Sequence, residues 1–103
     1  MPLDAVYKAL ADPTRRRILA LLRERDMTAG ELADAFELSK PTLSGHFSVL
    51  KAAGLIDGEK QGTSITYRLQ ISVLEEALLG LMNSLDIGMR PRGRTTRARK
   101  VAP

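Results

Sequence analysis

The stretch Leu38-Ser39-Lys40-Pro41-Thr42-Leu43-Ser44-Gly45-His46-Phe47-Ser48-Val49-Leu50 decides how this chain folds. Ser39 carries a hydroxyl suited to capping a helix N-terminus, and Pro41 fits the first turn, where its missing N–H would have no partner anyway. Leu43, Phe47 and Leu50 then recur at i, i+4 and i+7, and Gly54 supplies the stop. On a wheel of roughly 100 degrees per residue, those three apolar residues point inward. Pro41, Ser44, Gly45, Ser48 and Ala52 point outward, joined by Lys40 and Thr42 from the open first turn. The outward face is slim, and from Thr42 to Val49 it carries no formal charge. A helix that reads base edges must lie close to them in a groove ~12 Å wide, and small hydroxyl side chains permit that approach. The plainer reading is a solvated polar surface, but such surfaces favour Glu, Lys and Gln. The pattern therefore points to duplex DNA.

The flanking sequence supports the same architecture. Upstream, Thr28-Ala29-Gly30-Glu31 is a capping box that opens a helix bearing Leu32, Ala33 and Phe36. Only Glu37-Leu38 separates it from the next helix, the tight connection of a helix-turn-helix. Before it, Leu3, Val6, Tyr7 and Leu10 form a short first helix that Asp12-Pro13 should end. Asp12 then caps a second helix running to about Arg25, with Ile18, Leu21 and Leu22 on one face. Arg15, Arg16 and Arg17 oppose the positive end of that helix dipole. Arg15 projects toward the core, where a buried backbone group or carboxylate is its expected partner, and Arg16 is the better candidate for a DNA phosphate.

Downstream the period changes to two: Ile65, Tyr67 and Leu69 alternate with polar residues after a first strand at Ile56 to Lys60, with Gln61-Gly62 as the turn. This predicts a two-stranded wing whose Lys60 and Arg68 meet phosphates on either flank, opposed by Asp57 and Glu59 in the same hairpin. A last helix is expected from Ser72, with Glu75 completing a capping box, Leu74, Leu78, Leu81 and Leu85 as its stripe, and Gly88 closing it. The fold class is thus mainly α with a small β-hairpin, a winged helix-turn-helix over residues 1–89. Residues 90–103 read as a disordered basic tail.

Length and charge set bounds on function. With 103 residues there is material for one domain, and a unit this small gains from burying surface against a partner chain. The net charge of +4 is concentrated at one end: the tail holds six of the sixteen cations and no acid, leaving ten bases against twelve acids in residues 1–89. The tail either adds sequence-independent DNA affinity by counterion release, entering a minor groove as an arm, or is a solubilising extension. The absence of cysteine excludes disulfides and thiolate metal sites and fits a reducing cytoplasm. No apolar leader and no membrane-length apolar run occurs, so secretion and membrane insertion are not expected.

Catalytic and metal chemistry find no constellation. Ser44 and His46, two residues apart on a helix, do not face each other, so they cannot form a nucleophile–base pair. Carboxylates such as Glu75, Glu76 and Asp86 are usually solvated, and transition metals prefer nitrogen or sulfur ligands. No enzyme activity, cofactor or metal is expected. His46 is the sole histidine and borders the apolar stripe, where it either bonds a neighbouring helix or reaches a phosphate.

Several linked motifs carry a family resemblance. Leu10-Ala-Asp-Pro-Thr-Arg15 with Ile18-Leu19, then Leu38-Ser-Lys-Pro-Thr-Leu-Ser44 with His46, then Ala53-Gly-Leu-Ile56 with Gly62 and Tyr67 resemble, in order, the opening, recognition helix and wing of the ArsR family of bacterial winged-helix repressors. Asp12-Pro-Thr-Arg-Arg16 and Asp26-Met-Thr-Ala-Gly30 resemble its SdpR-like autorepressor branch. The resemblance implies a homodimer built by the first and last helices, for which Leu3, Val6, Tyr7 and Leu10 would meet Leu74, Leu78, Leu81 and Leu85. A twofold dimer spaces two recognition helices about one DNA turn (~34 Å) apart, which favours an inverted-repeat operator. Many members sense metals through cysteines on the third helix or His and Asp clusters on the last, and this chain has neither. The implied releasing signal is a small molecule or a partner protein. An alternative is a winged-helix module for protein interaction without specific DNA binding.

Overall fold

The computed structural model describes residues 3–88, and the basic tail expected at 90–103 lies outside them. In chain order the elements are α1 (Leu3–Leu10), α2 (Pro13–Glu24), β1 (Met27–Thr28), α3 (Ala29–Ala35), α4 (Lys40–Ala52), β2 (Ile56–Gln61), β3 (Ser64–Leu69) and α5 (Ile71–Ser84). This is a winged helix-turn-helix, with α3 and α4 as the helix-turn-helix and β2–β3 as the wing.

Local chemistry sets most of the boundaries. The Asp12 carboxylate accepts the Arg15 N–H at 3.1 Å and caps α2. Thr28 and Glu31 form the expected reciprocal box: Thr28 N–H donates to Glu31 Oε1 at 2.8 Å, and Glu31 N–H donates to Thr28 Oγ1 at 3.0 Å. Ser39 caps α4 by accepting the Thr42 N–H at 3.3 Å. Gly54, at φ 77°, turns the chain out of α4 while its own N–H and that of Leu55 satisfy the carbonyls of Lys51 and Leu50.

Two of the three arginines opening α2 find acceptors that offset their poor position on its dipole. Arg15 donates to the carbonyls of Ala9 (2.8 Å) and Lys8 (2.9 Å), and Arg16 donates to that of Leu10 (2.7 Å). These are last-turn carbonyls of α1, the negative end of the neighbouring helix. Arg17 lies over the Phe36 ring, 4.8 Å from its centroid.

Three expectations need correction, and one strand was not expected. The two-stranded wing is present as β2–β3, and β1 extends its sheet by pairing with β3 (Met27↔Tyr67, Thr28↔Thr66) in the order β1-β3-β2. Two residues are too few to show a period, so this strand exists because the buried Met27 side chain and the Thr28 cap hold the backbone extended beside β3. The hairpin turn is Gly62-Thr63, with Gln61 paired to Ser64 and Gly62 at φ 63°. The α5 N-cap is Gln70, with no side-chain cap bond, so Ser72 and Glu75 form no capping box. Gln70 is held by its N–H donating to Leu55 O at 2.8 Å, and its carbonyl receives the N–H of Val73 at 3.1 Å, so the helix starts before Ser72. At the other end Asp86, at φ 56°, makes the reversal expected of Gly88. The N–H groups of Asp86 and Ile87 cap the carbonyls of Asn83 and Met82.

The core gathers one face of each helix: Val6, Ile18, Leu32, Leu43, Leu50 and Leu55 are fully buried, with Phe47 and Tyr67 nearly so. The Phe47 and Tyr67 rings meet at 4.7 Å between centroids, which fixes α4 against the wing. Gly58 stands opposite Tyr67, where a Cβ would come within 3.0 Å of the tyrosine ring.

Candidate nucleic-acid interface

The surface of α4 follows from its two faces. Leu43, Phe47 and Leu50 are taken up by the core, so the helix can rotate neither way, and Lys40, Pro41, Thr42, Ser44, Gly45 and Ser48 are left exposed together. Ala52, the remaining residue that the wheel sets outward, is exposed as well. The Ser39 hydroxyl donates to Thr42 Oγ1 at 2.9 Å, which orients the threonine at the helix tip. A Cβ built on Gly45 meets nothing within 4 Å, so packing within the chain does not require glycine there. Ser44 and Lys40 also border an open groove of about 350 Å³ between α3, α4 and β3, floored by Ala33, Phe47 and Tyr67.

The flanking cations differ in how committed they are. Arg68 splits between Asp57 (3.1 Å) and Glu59 (3.3 Å) on β2, and these partners hold its guanidinium more firmly protonated than an isolated arginine. Asp57, Glu59, Lys60 and Arg68 together make the wing neutral, and among the described residues Lys60 is in no ion pair. Arg16 is exposed but bonded to the end of α1.

The proposed partner face also divides. Val6 is 0% exposed and belongs to the core of the single chain, which corrects its assignment to an interface. Leu10, Leu74 and Tyr7 are half-buried, with Leu10 and Leu74 packed on that core, and Leu81 is half-buried as well. Leu3, Leu78 and Leu85 remain open, the last at 60%, and Leu79 and Ile87 join them. Spacing alone could not separate Val6 from Leu3, because both lie on the apolar side of α1 and only packing shows which part of that side faces inward.

One cluster was not anticipated as a unit. Arg15 Nη1 lies 3.3 Å from His46 Nδ1, and Asp12 Oδ2 lies 4.0 Å from the same nitrogen. The Asp12 carboxyl is held below its ordinary value, first by the Arg15 backbone N–H and then by the neighbouring His46 and Arg15 side chains. Among the described residues no group of three or more His, Cys, Asp and Glu is placed to hold a metal ion, and no helix is long and apolar enough to cross a membrane.

Comparison with known proteins agrees with this geometry. Residues 12–57 match the family described as "Bacterial regulatory protein, arsR family". The chain is 42% identical over 86 residues to the transcriptional repressor SdpR of Bacillus subtilis, an alignment covering 84% of this chain and 96% of that protein. Among solved structures, an ArsR-like transcriptional regulator from Rhodococcus sp. RHA1 superposes with a TM-score of 0.73 at 32% identity, covering 82% of this chain and 79% of that one. A homodimeric winged helix-turn-helix DNA-binding domain from Mycobacterium bovis superposes with a TM-score of 0.66 at 28% identity, covering 81% and 78%. With its motifs in order, its β2–β3 wing in a three-stranded sheet and a relative aligned over nearly its whole length, the chain belongs to the ArsR family of bacterial regulatory proteins.

Proposed function

We propose that this chain is a cytoplasmic transcriptional repressor that occupies an inverted-repeat operator as a homodimer and is released by a small molecule or a partner protein and not by a metal. One observation carries the reading: α4 is held by its buried face while its uncharged, short side chains stand together in solvent, the shape a helix needs to enter a major groove. In this reading Thr42, Ser44 and Ser48 bond base edges, Gly45 allows the close approach, and Lys40 at the helix N-terminus meets a phosphate, with Pro41 shaping the tip. Lys60 is the wing cation best placed to add a backbone contact, Arg68 contributes less because its two acidic partners already neutralise it, and Arg16 meets a phosphate only by releasing the end of α1. The open leucines at positions 3, 78 and 85 give a second copy an apolar surface to cover, in keeping with the homodimeric relative. The sequence match to a named repressor supports the direction of regulation.

The decisive variant is Ser44→Glu, which places a carboxylate where DNA phosphates and base edges would approach. We expect it to lose binding to the duplex that the wild-type protein selects from a random library, while sedimentation shows an unchanged dimer. Retained affinity would remove α4 as the reading surface.

A further inference from the structure

We propose that Arg15 and His46 form a positioning latch that ties the end of α1 to the recognition helix α4, and that protonation of His46 opens it. The inference rests on the DNA-binding reading above, and concerns which residues set the angle of α4. A single guanidinium joins three helices. Arg15 sits on α2, its Nε and Nη2 donate to the carbonyls of Ala9 and Lys8 at the end of α1, and its Nη1 lies 3.3 Å from Nδ1 of His46 on α4. Arginine has donors and no acceptor, so His46 Nδ1 must be the acceptor and the imidazole proton must reside on Nε2. The tautomer follows from the partner.

Addition of a proton to Nδ1 turns the acceptor into a donor that confronts a second donor. The ring then has to leave Arg15. The charged groups that face it are Arg15 itself, which repels the cation, and Asp12 at the N-cap of α2, whose Oδ2 is 4.0 Å away and attracts it. From α1 the cluster receives backbone carbonyls through the guanidinium and no side-chain ion pair. His46 therefore exchanges a partner that is also bonded to α1 for one at the N-cap of α2, and α4, still packed directly on α1, loses the hydrogen-bonded link that fixes its angle to that helix. The His46 side chain is 17% exposed, so the ring cannot simply swing into water.

The chain contains one histidine, which makes the test direct. Nitrogen-15 correlation of the wild-type imidazole at neutral pH should show the proton on Nε2, and a proton on Nδ1 would overturn the latch. Affinity for the selected duplex is then measured for His46→Asn, whose amide oxygen can take the Nδ1 acceptor place, and for His46→Leu, which has none. We expect His46→Leu to bind about tenfold more weakly, one hydrogen bond's worth, with His46→Asn near the wild type and all three proteins folded dimers. Equal affinities would overturn the proposal. Arg15→Lys, which keeps the charge but loses the fork, should weaken binding as His46→Leu does.

Binding measured at neutral and at acid pH separates the two roles available to the ring. Weaker binding in the wild type that His46→Asn abolishes supports the latch, whereas tighter binding marks a direct His46–phosphate contact and overturns it, as does no change. Failure of the wild type to bind any duplex removes the DNA reading and the latch with it, while normal wild-type binding that ignores every His46 change removes the latch alone.

Discussion

Two surfaces of this molecule are left uncovered by its own core, and they are opposites. The outward face of α4 is short, polar and uncharged, while α1, α5 and the C-cap of α5 expose leucines at 3, 78, 79 and 85. Each is the remainder of an amphipathic helix whose other side is buried, so helix formation alone does not distinguish them. The chemistry of what remains does. A slim hydroxyl-bearing face loses little by contact with water and gains by contact with base edges, whereas several neighbouring leucines in water are unfavourable until another apolar surface covers them. The contrast is the ground for proposing DNA as the partner of the first and a copy of the chain as the partner of the second, and under that proposal the two must cooperate: α4 reads an operator twice only if the leucines hold two copies together.

That dependence is the place to break the comparison. Replacing Leu78 and Leu79 by glutamate should yield a folded monomer by sedimentation and lower operator affinity by about 10²-fold or more, because the second half-site contact is no longer intramolecular. A monomer that binds as tightly as the wild type would separate the two faces altogether. Gly45→Ala sharpens the contrast from the other side. Nothing beyond the helix's own backbone lies within 4 Å of the added methyl, so melting should report about 1 kcal/mol of gained stability from improved helix propensity. Titration with DNA should report a loss of affinity, since the methyl occupies the close-approach surface. Stability and affinity moving together would mean that the face is ordinary solvated helix.

The smallest expected effect concerns the scaffold between the two surfaces. Glu31 is held below its ordinary carboxyl value, chiefly by the Thr28 N–H and then by Arg25, and Asp12 is shifted the same way. Both groups are depressed on folding, so their stabilisation is complete above the unfolded carboxylate range near about pH 4. It is lost as pH falls through their lower folded values. Thermal melts taken from neutral to acid should therefore decline in that range, and Glu31→Gln should shallow the decline. An identical profile for that variant would remove the capping box from the acid response.

The helix-turn-helix could be read in advance because its signals are local: Thr28 with Glu31, Ser39 with Thr42, and the Leu43-Phe47-Leu50 stripe all act within one or two turns. The ends of α5 could not, since Ser72-to-Glu75 and Gly88 have the right chemistry in the wrong backbone setting. Gln70 is pinned by Leu55, and Asp86 adopts the left-handed conformation first. The Arg15–His46 contact joins residues 31 positions apart, and no periodicity reports it.

Residue order alone determined the helical faces, the caps of α2, α3 and α4, and the small uncharged surface of the recognition helix, because those depend on spacing and on bonds between near neighbours. Tertiary structure alone decided that Val6 faces inward while Leu3 does not, that Met27-Thr28 becomes a strand, and that Arg68 turns to Asp57 and Glu59. It also decided that Arg15 reaches α1 and α4 at once. Each of these rests on which distant surfaces meet, and that is set by the packing of whole elements and not by any one of them.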